Sequence, residues 1–207
     1  MSTIDLRNAL GQIDIYLLDQ VLRGRIASGD TILDAGCGHG RNLTYFLREG
    51  FSVHAVDTDE DAVSEVRRLA AALAPSLPPE NFRVASLEAS SFQDGFADVV
   101  VSSAVLHFAR DDRQFEAMLA GSWRPLRSGG VFFARLASSI GMAGMEDQVV
   151  QVEGRRYRLP DGTLRYLVDE PRLMELTQEL GGQLVDPLKT TVVQDQRCMT
   201  TWVVRKN

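Results

Sequence analysis

The stretch Thr-Ile-Leu-Asp-Ala-Gly-Cys-Gly-His-Gly-Arg-Asn, residues 31–42, decides how the rest of the chain is arranged. Ile32 and Leu33 form a short apolar run suited to a strand buried on both faces, and small residues follow before the apolar spacing turns helical at Leu43, Phe46 and Leu47. The pattern predicts a strand, a glycine loop and a helix. Gly36, Gly38 and Gly40 permit positive φ and close approach of the backbone to a ligand. The expected helix would aim unpaired N–H groups and a positive dipole end at the same spot. A polar or anionic ligand is therefore expected there.

The spacing narrows the ligand. A dinucleotide fingerprint places glycines as G-x-G-x-x-G, whereas Gly36 and Gly38 are followed by Gly40, with Arg41 in the third-glycine place. Asp34, at the strand end, would sit badly beside a pyrophosphate but suits a ligand carrying an amino group. At these residues the chain resembles the class I S-adenosylmethionine-dependent methyltransferases, whose first motif reads D-x-G-x-G-x-G, here Asp34, Gly36, Gly38 and Gly40. The loop followed by Arg41 and Asn42 also resembles that of the tellurite-resistance methyltransferases. The resemblance implies an α/β fold with a doubly wound, mostly parallel seven-stranded sheet, Rossmann-like, closed by an antiparallel terminal hairpin.

Bulk properties are compatible with one such domain over residues 1–207. The chain has 44% hydrophobic and 24% charged residues, ordinary globular usage, and enough length for a sizeable core. A net charge of -6 argues against a broad nucleic-acid or acidic-membrane footprint. No apolar run approaches the length needed to span a bilayer. Cys37 and Cys198 show no paired spacing, and residues 1–10 no signal-peptide pattern, so a reducing cytoplasm is expected. Cys37, His39 and His107 form no metal-ligand spacing, so no metal is assigned.

Along the chain, Ile13, Tyr16, Leu17, Val21 and Leu22 predict an amphipathic helix within an N-terminal cover, residues 1–29, packed on the sheet and able to wall the site. Beyond Gly50, residues 51–56 read as a second strand ending in Asp57, placed to accept from both hydroxyls of a ribose. Asp59 and Asp61 read as caps for a helix carrying Val63, Val66, Leu69, Ala70 and Leu73. Residues 82–85 and 97–102 predict two more strands, the second an apolar run typical of a central parallel strand. Asp111 and Asp112 open a helix with Phe115, Met118, Leu119 and Trp123 along one side, and residues 131–136 predict the next strand. Between 138 and 168 the alternation lapses, and turns at Gly154 and Gly162 predict an inserted β ribbon or lid. Its Arg155, Arg156, Arg158 and Arg165 are either solvated edges or cover for an acceptor carrying a carboxylate or phosphate. A helix from Asp169, with Leu173, Leu176 and Leu180 inward, and strands at 187–193 and 198–204 complete the chain.

The resemblance assigns roles to these positions. Asp34, Gly36 and Gly38 would contact the methionine part of S-adenosylmethionine, with Cys37 and Arg41 on the same loop. Asp57 would hold the ribose, and Thr58 and Leu87 the adenine. Ser86 stands where the family often has an acid touching the adenine amino group, a departure that weakens one contact. Ser103 and His107 would face the methyl, in a segment, residues 103–108, that resembles the family's fourth motif. His107 is the candidate catalytic base, by its position at a strand's carboxyl end and its near-neutral imidazole; the plainer alternative is a structural histidine. The implied function is methyl transfer to a small molecule, yielding S-adenosylhomocysteine, with the oligomeric state left open. A protein or RNA methyltransferase and a non-catalytic cofactor-binding module remain alternatives, and a nicotinamide-dependent oxidoreductase is disfavoured by Arg41.

Overall fold

A computed structural model describes residues 5–145 and 147–207; residues 1–4 of the expected N-terminal cover lie outside the described residues. Strand β1 (Thr31–Ala35) pairs in parallel with β2 (Ser52–Asp57) on one side and β4 (Ala97–Ser103) on the other. Beyond β2 lies β3 (Phe82–Val84), and beyond β4 lies β5 (Leu126–Ser138), both parallel to their neighbours. Strand β11 (Arg197–Lys206) runs antiparallel along β5, and β10 (Lys189–Val193) antiparallel along β11. Along the order β10-β11-β5-β4-β1-β2-β3 the sheet holds the seven strands expected, with the antiparallel hairpin at one end.

An eighth strand, β9 (Gly182–Leu184), was not expected; it pairs with β11 off that path. It occupies the same edge as β10, opposite residues 204–206 where β10 lies opposite 197–201. Together they form one edge strand interrupted at Asp186 and Pro187. A proline supplies no ladder N–H, which breaks the pairing there.

Two helical layers cover the sheet. On one face, α2 (Ile15–Leu22), α3 (Thr44–Arg48) and α4 (Glu60–Leu73) bury Leu17, Phe46, Leu47, Val63 and Val66 against Ile32, Val53, Val99 and Phe133. On the other, α5 (Asp112–Trp123) and α6 (Glu170–Glu179) bury Phe115, Leu119, Leu173 and Leu176 against Leu33, Val100, Phe132 and Trp202. A short α1 (Leu6–Leu10) precedes them. Aspartates cap the N-termini: Asp14 on α2, Asp59 on α4, Asp111 on α5 and Asp169 on α6 each accept from a first-turn backbone N–H. Asp59 is thus a cap as expected, whereas Asp61 lies within the first turn, where its charge favours the dipole. No helix among the described residues is long and apolar enough to cross a membrane.

The helix after the glycine loop departs from expectation. It spans only Thr44–Arg48 and begins four residues beyond Gly40, because residues 40–43 form a turn closed by Leu43 N–H on the Gly40 carbonyl at 2.9 Å. So short a helix, set back from the loop, contributes little dipole to a ligand.

The inserted ribbon is present as β6 (Val150–Glu153), β7 (Arg156–Arg158) and β8 (Leu164–Tyr166). Tyr166 fixes it to the body: the ring stacks on Phe115 with centroids 4.5 Å apart, and the hydroxyl donates to Asp112 at 2.7 Å. Backbone bonds from Ser139 N–H to the Val168 carbonyl and from Leu167 N–H to the Arg155 carbonyl close its base.

Helix α5 approaches the segment after β3 so closely that a Cβ on Gly121 would lie 2.0 Å from the Leu87 carbonyl oxygen. Gly121→Ala must push these backbones apart, at a cost of about 1–3 kcal/mol typical of overpacking. We expect a thermal midpoint lowered by several degrees in a melting experiment.

Candidate active site

In an open α/β sheet, ligands bind beyond the carboxyl ends of the strands where the order reverses. Here that point lies between β1 and β4, and a cleft of about 720 Å3 opens there. Its walls come from the loops after β1, β2, β3 and β4, with Gln12 ahead of α2 and Gln114 and Met118 of α5.

The two central loops interlock. Gly36 has φ 91°, and a Cβ there would fall 2.4 Å from a methyl of Val105, so only glycine lets the two loops meet. Ala104, beside Val105, takes φ 65°, uncommon for a residue with a side chain, and its N–H donates to the Arg135 carbonyl at 2.7 Å. Gly38 has open space where a Cβ would be and lines the cleft.

The loop's N–H groups are engaged inside the protein. Those of Gly36 and Cys37 donate to the Val56 carbonyl, that of Gly40 to the Cys37 carbonyl, and that of Gly38 to Asp57 Oδ2 at 2.8 Å. These four amides are therefore not free for a ligand. A pyrophosphate, which needs such donors, finds none free at these positions and meets the Asp57 carboxylate instead.

Asp34 lies behind the loop, 1% exposed, and does not reach the cleft wall. Its strand neighbours are Ala55 and Val101, and neither carboxylate oxygen has a hydrogen-bond partner. Burial raises its pKa to about 7, with the Arg41 charge pulling it down and that of Asp57 pushing it up. Two orphaned oxygens beneath a ligand cleft call for a positive charge above them. Cys37 lines the cleft, and burial, with Asp34 and Asp57 nearby, pushes its thiol pKa up, so it is an unreactive wall residue.

Asp57 lines the cleft with its carboxylate held by the N–H groups of Gly38 and Asp59. Thr58, Ser86, Leu87 and Ser103 line it too, as does Arg41, whose Nη2 donates to Ser103 Oγ at 2.9 Å. Behind Arg41, Asp14 accepts from Arg135 Nη1 at 3.0 Å and lies 3.8 Å from Arg41 Nη2, so one buried carboxylate serves two guanidiniums.

His107 is not brought to the cleft. It lies buried in a 3-10 turn, Leu106–Phe108, with Nδ1 accepting the Ala137 N–H at 3.1 Å. Burial, with the charges of Arg165 and Arg197, lowers its pKa to about 3. The neutral ring thus acts as a structural acceptor here, and the expected place beside the methyl is not realised. The next residue, Phe108, lines the cleft in its stead.

Sequence reasoning gave no ligand role to Gln12, Asn42, Glu88, Val105, Phe108, Gln114 or Met118, all of which line the cleft. Phe108 stood inside the quoted fourth-motif segment and Met118 inside an apolar stripe read as core. Glu88 accepts from Gln114 Nε2 at 2.9 Å, which links the loop after β3 to α5.

Residues 32–130 match the family model described as a methyltransferase domain. A probable S-adenosylmethionine-dependent methyltransferase of Mycobacterium tuberculosis is 27% identical over 183 residues, 81% of this chain and 63% of that protein. The chain thus spans less than two thirds of the length of that curated relative. The fold matches the Burkholderia thailandensis 1,6-didemethyltoxoflavin-N1-methyltransferase solved with its acceptor and S-adenosylhomocysteine, at TM-score 0.70 and 22% identity, over 98% of this chain and 81% of that one. TehB from Haemophilus influenzae matches at TM-score 0.63 and 19% identity, over 91% of this chain and 62% of that one. The chain is thus similar to S-adenosylmethionine-dependent methyltransferases, in the methyltransferase domain matched by residues 32–130 and in its fold.

The buried acid makes stability depend on pH. Unfolded, Asp34 loses its proton near 3.8; folded, it keeps it to about 7. Between these values the native state binds the extra proton, so the ligand-free protein loses stability as pH rises from about 4 to about 7, by an amount on the order of 4 kcal/mol. Asp34→Asn cannot ionise, so its thermal midpoint relative to wild type should climb across that window in melts taken from pH 4 to pH 8.

Proposed function

We propose that the protein transfers the methyl group of S-adenosylmethionine to a small-molecule acceptor. The observation that carries this reading is Asp34: a buried carboxylate without a partner, under a loop whose amides are already bonded, suits a cationic ligand and repels a phosphate. The rim acid Asp57, held from below, keeps lone pairs for two ribose hydroxyls. Leu87 and Met118 offer apolar faces to a purine, flanked by Thr58 and Ser86. Arg41, steadied by Ser103, is set to meet the carboxylate of the methionine part.

When bound, S-adenosylmethionine supplies a methyl already activated on a sulfonium. The chain's own task is then to hold the acceptor in line and keep water out. With Nδ1 of His107 engaged by Ala137 and its ring off the cleft wall, His107 is not placed as the base; the histidine that lines the cleft is His39, whose Nδ1 is on Glu65 at 2.8 Å. An acceptor that arrives already as a nucleophile needs no base from the chain. A net charge of -6 supports a small acceptor over RNA.

Titration calorimetry should find binding of S-adenosylmethionine and S-adenosylhomocysteine and none of NAD. Asp57→Ala should weaken S-adenosylhomocysteine about tenfold or more, the loss expected for hydrogen bonds to a charged group. Full affinity in a variant with both Asp34 and Asp57 changed to alanine would overturn the assignment. Turnover against a panel of small acceptors separates an enzyme from a cofactor-binding module.

A further inference from the structure

Two guanidiniums bracket the loop that follows β4. Arg41 lies at its start, on Ser103 Oγ, and Arg165 at its end, 4.7 Å over the ring of Phe108. Phe108 is 57% exposed and lines the cleft, so Arg165, which is not itself in the wall, lies against a ring that is. Strand alternation puts it there: Tyr166, its neighbour on β8, points into the core against Phe115, so Arg165 must face the opposite way.

Two nearby arginines are neutralised, whereas Arg165, like Arg156 and Arg158 on the adjoining strand, has no ion pair among the described residues. Arg155 pairs with Asp169 at 3.0 Å and Arg197 with Asp161 at 3.0 Å. Arg165 donates to its own neighbour's carbonyl, that of Leu164, and among the described residues no carboxylate lies within ion-pair distance of it. A guanidinium held against a ring that lines a ligand cleft, with no carboxylate paired to it among the described residues, is a site kept open for an anion from outside. The guanidinium at the other end of the loop is already matched to the methionine carboxylate in the proposed function, on which this argument rests.

We infer that Arg165 and Phe108 together form the acceptor subsite, and that the acceptor is a small aromatic molecule carrying a carboxylate. The ring packs on Phe108 and the carboxylate meets the guanidinium fork. The other ribbon arginines are not part of it: Arg155 is already paired, and of the ribbon arginines it is Arg165 that lies over a ring lining the cleft.

The test uses the complex of the full chain with S-adenosylhomocysteine, titrated with benzoate, phenylacetate and indole-3-acetate and with the primary amide of each. In the wild type at least one carboxylate should bind tenfold or more tightly than its amide. Arg165→Met should bring each pair within about twofold, and Arg165→Lys should fall between. Arg113→Met, which removes an exposed arginine from α5, should leave the preference intact. Unchanged S-adenosylhomocysteine affinity in each variant reports an intact fold. Equal binding of carboxylates and amides, no carboxylate binding, or a preference that survives Arg165→Met would overturn the inference while leaving the methyl-transfer reading standing. Failure of the wild type to bind S-adenosylhomocysteine would overturn both.

Discussion

The contact between Gly36 and Val105 governs the geometry of everything above the sheet. The isopropyl group of one loop fills the space that a side chain on the other would need, so the turns after β1 and β4 are locked at one separation. Close packing of this kind leaves little room for adjustment. The separation sets the cleft: Gly38 and Arg41 follow from one loop, and Ser103 and Phe108 from the other. The positive φ of Gly36 and of Ala104 belongs to the same junction, backbone strain held where the surrounding structure over-determines it.

Charge is arranged in depth. Asp34 lies lowest and is orphaned, Asp57 stands at the rim with its lower edge bonded, and guanidiniums occupy the margins. Acids under the middle of a cleft and arginines at its borders suit a zwitterion or a cation tethered to an anion better than a polyphosphate. The arrangement separates this loop from a dinucleotide loop more firmly than glycine spacing does, because it follows from which amides are already bonded.

The parts legible in the sequence are those that depend on neighbours in sequence. β1 and β4 show as apolar runs because both faces are buried, and the helices of Asp59, Asp111 and Asp169 announce themselves by capping. The ribbon is marked by Gly154 and Gly162 at its turns. What stayed hidden depends on contacts distant in sequence. α3 is shorter than its apolar spacing suggests, since Asn42 accepts the Asp14 N–H and the chain turns there. β9 has no pattern of its own and exists only because β11 outruns β10. The site divides likewise: Asp57 and the rim residues fall where expected, but a motif shows neither that Asp34 is sealed behind its own loop nor that His107 faces Ala137.

Helix α2 is fastened along its whole length. At its start Asp14 is tied to Arg135 and, in the first turn, the Tyr16 hydroxyl shares a hydrogen bond with Thr191 at 2.7 Å; in its last turn Gln20, with Arg25 just past the end, grips Asp186 at the break in the edge strand. A hinged door needs one free margin, and α2 has none. On the loop after β4, by contrast, Phe108 is an uncovered apolar part of the cleft wall.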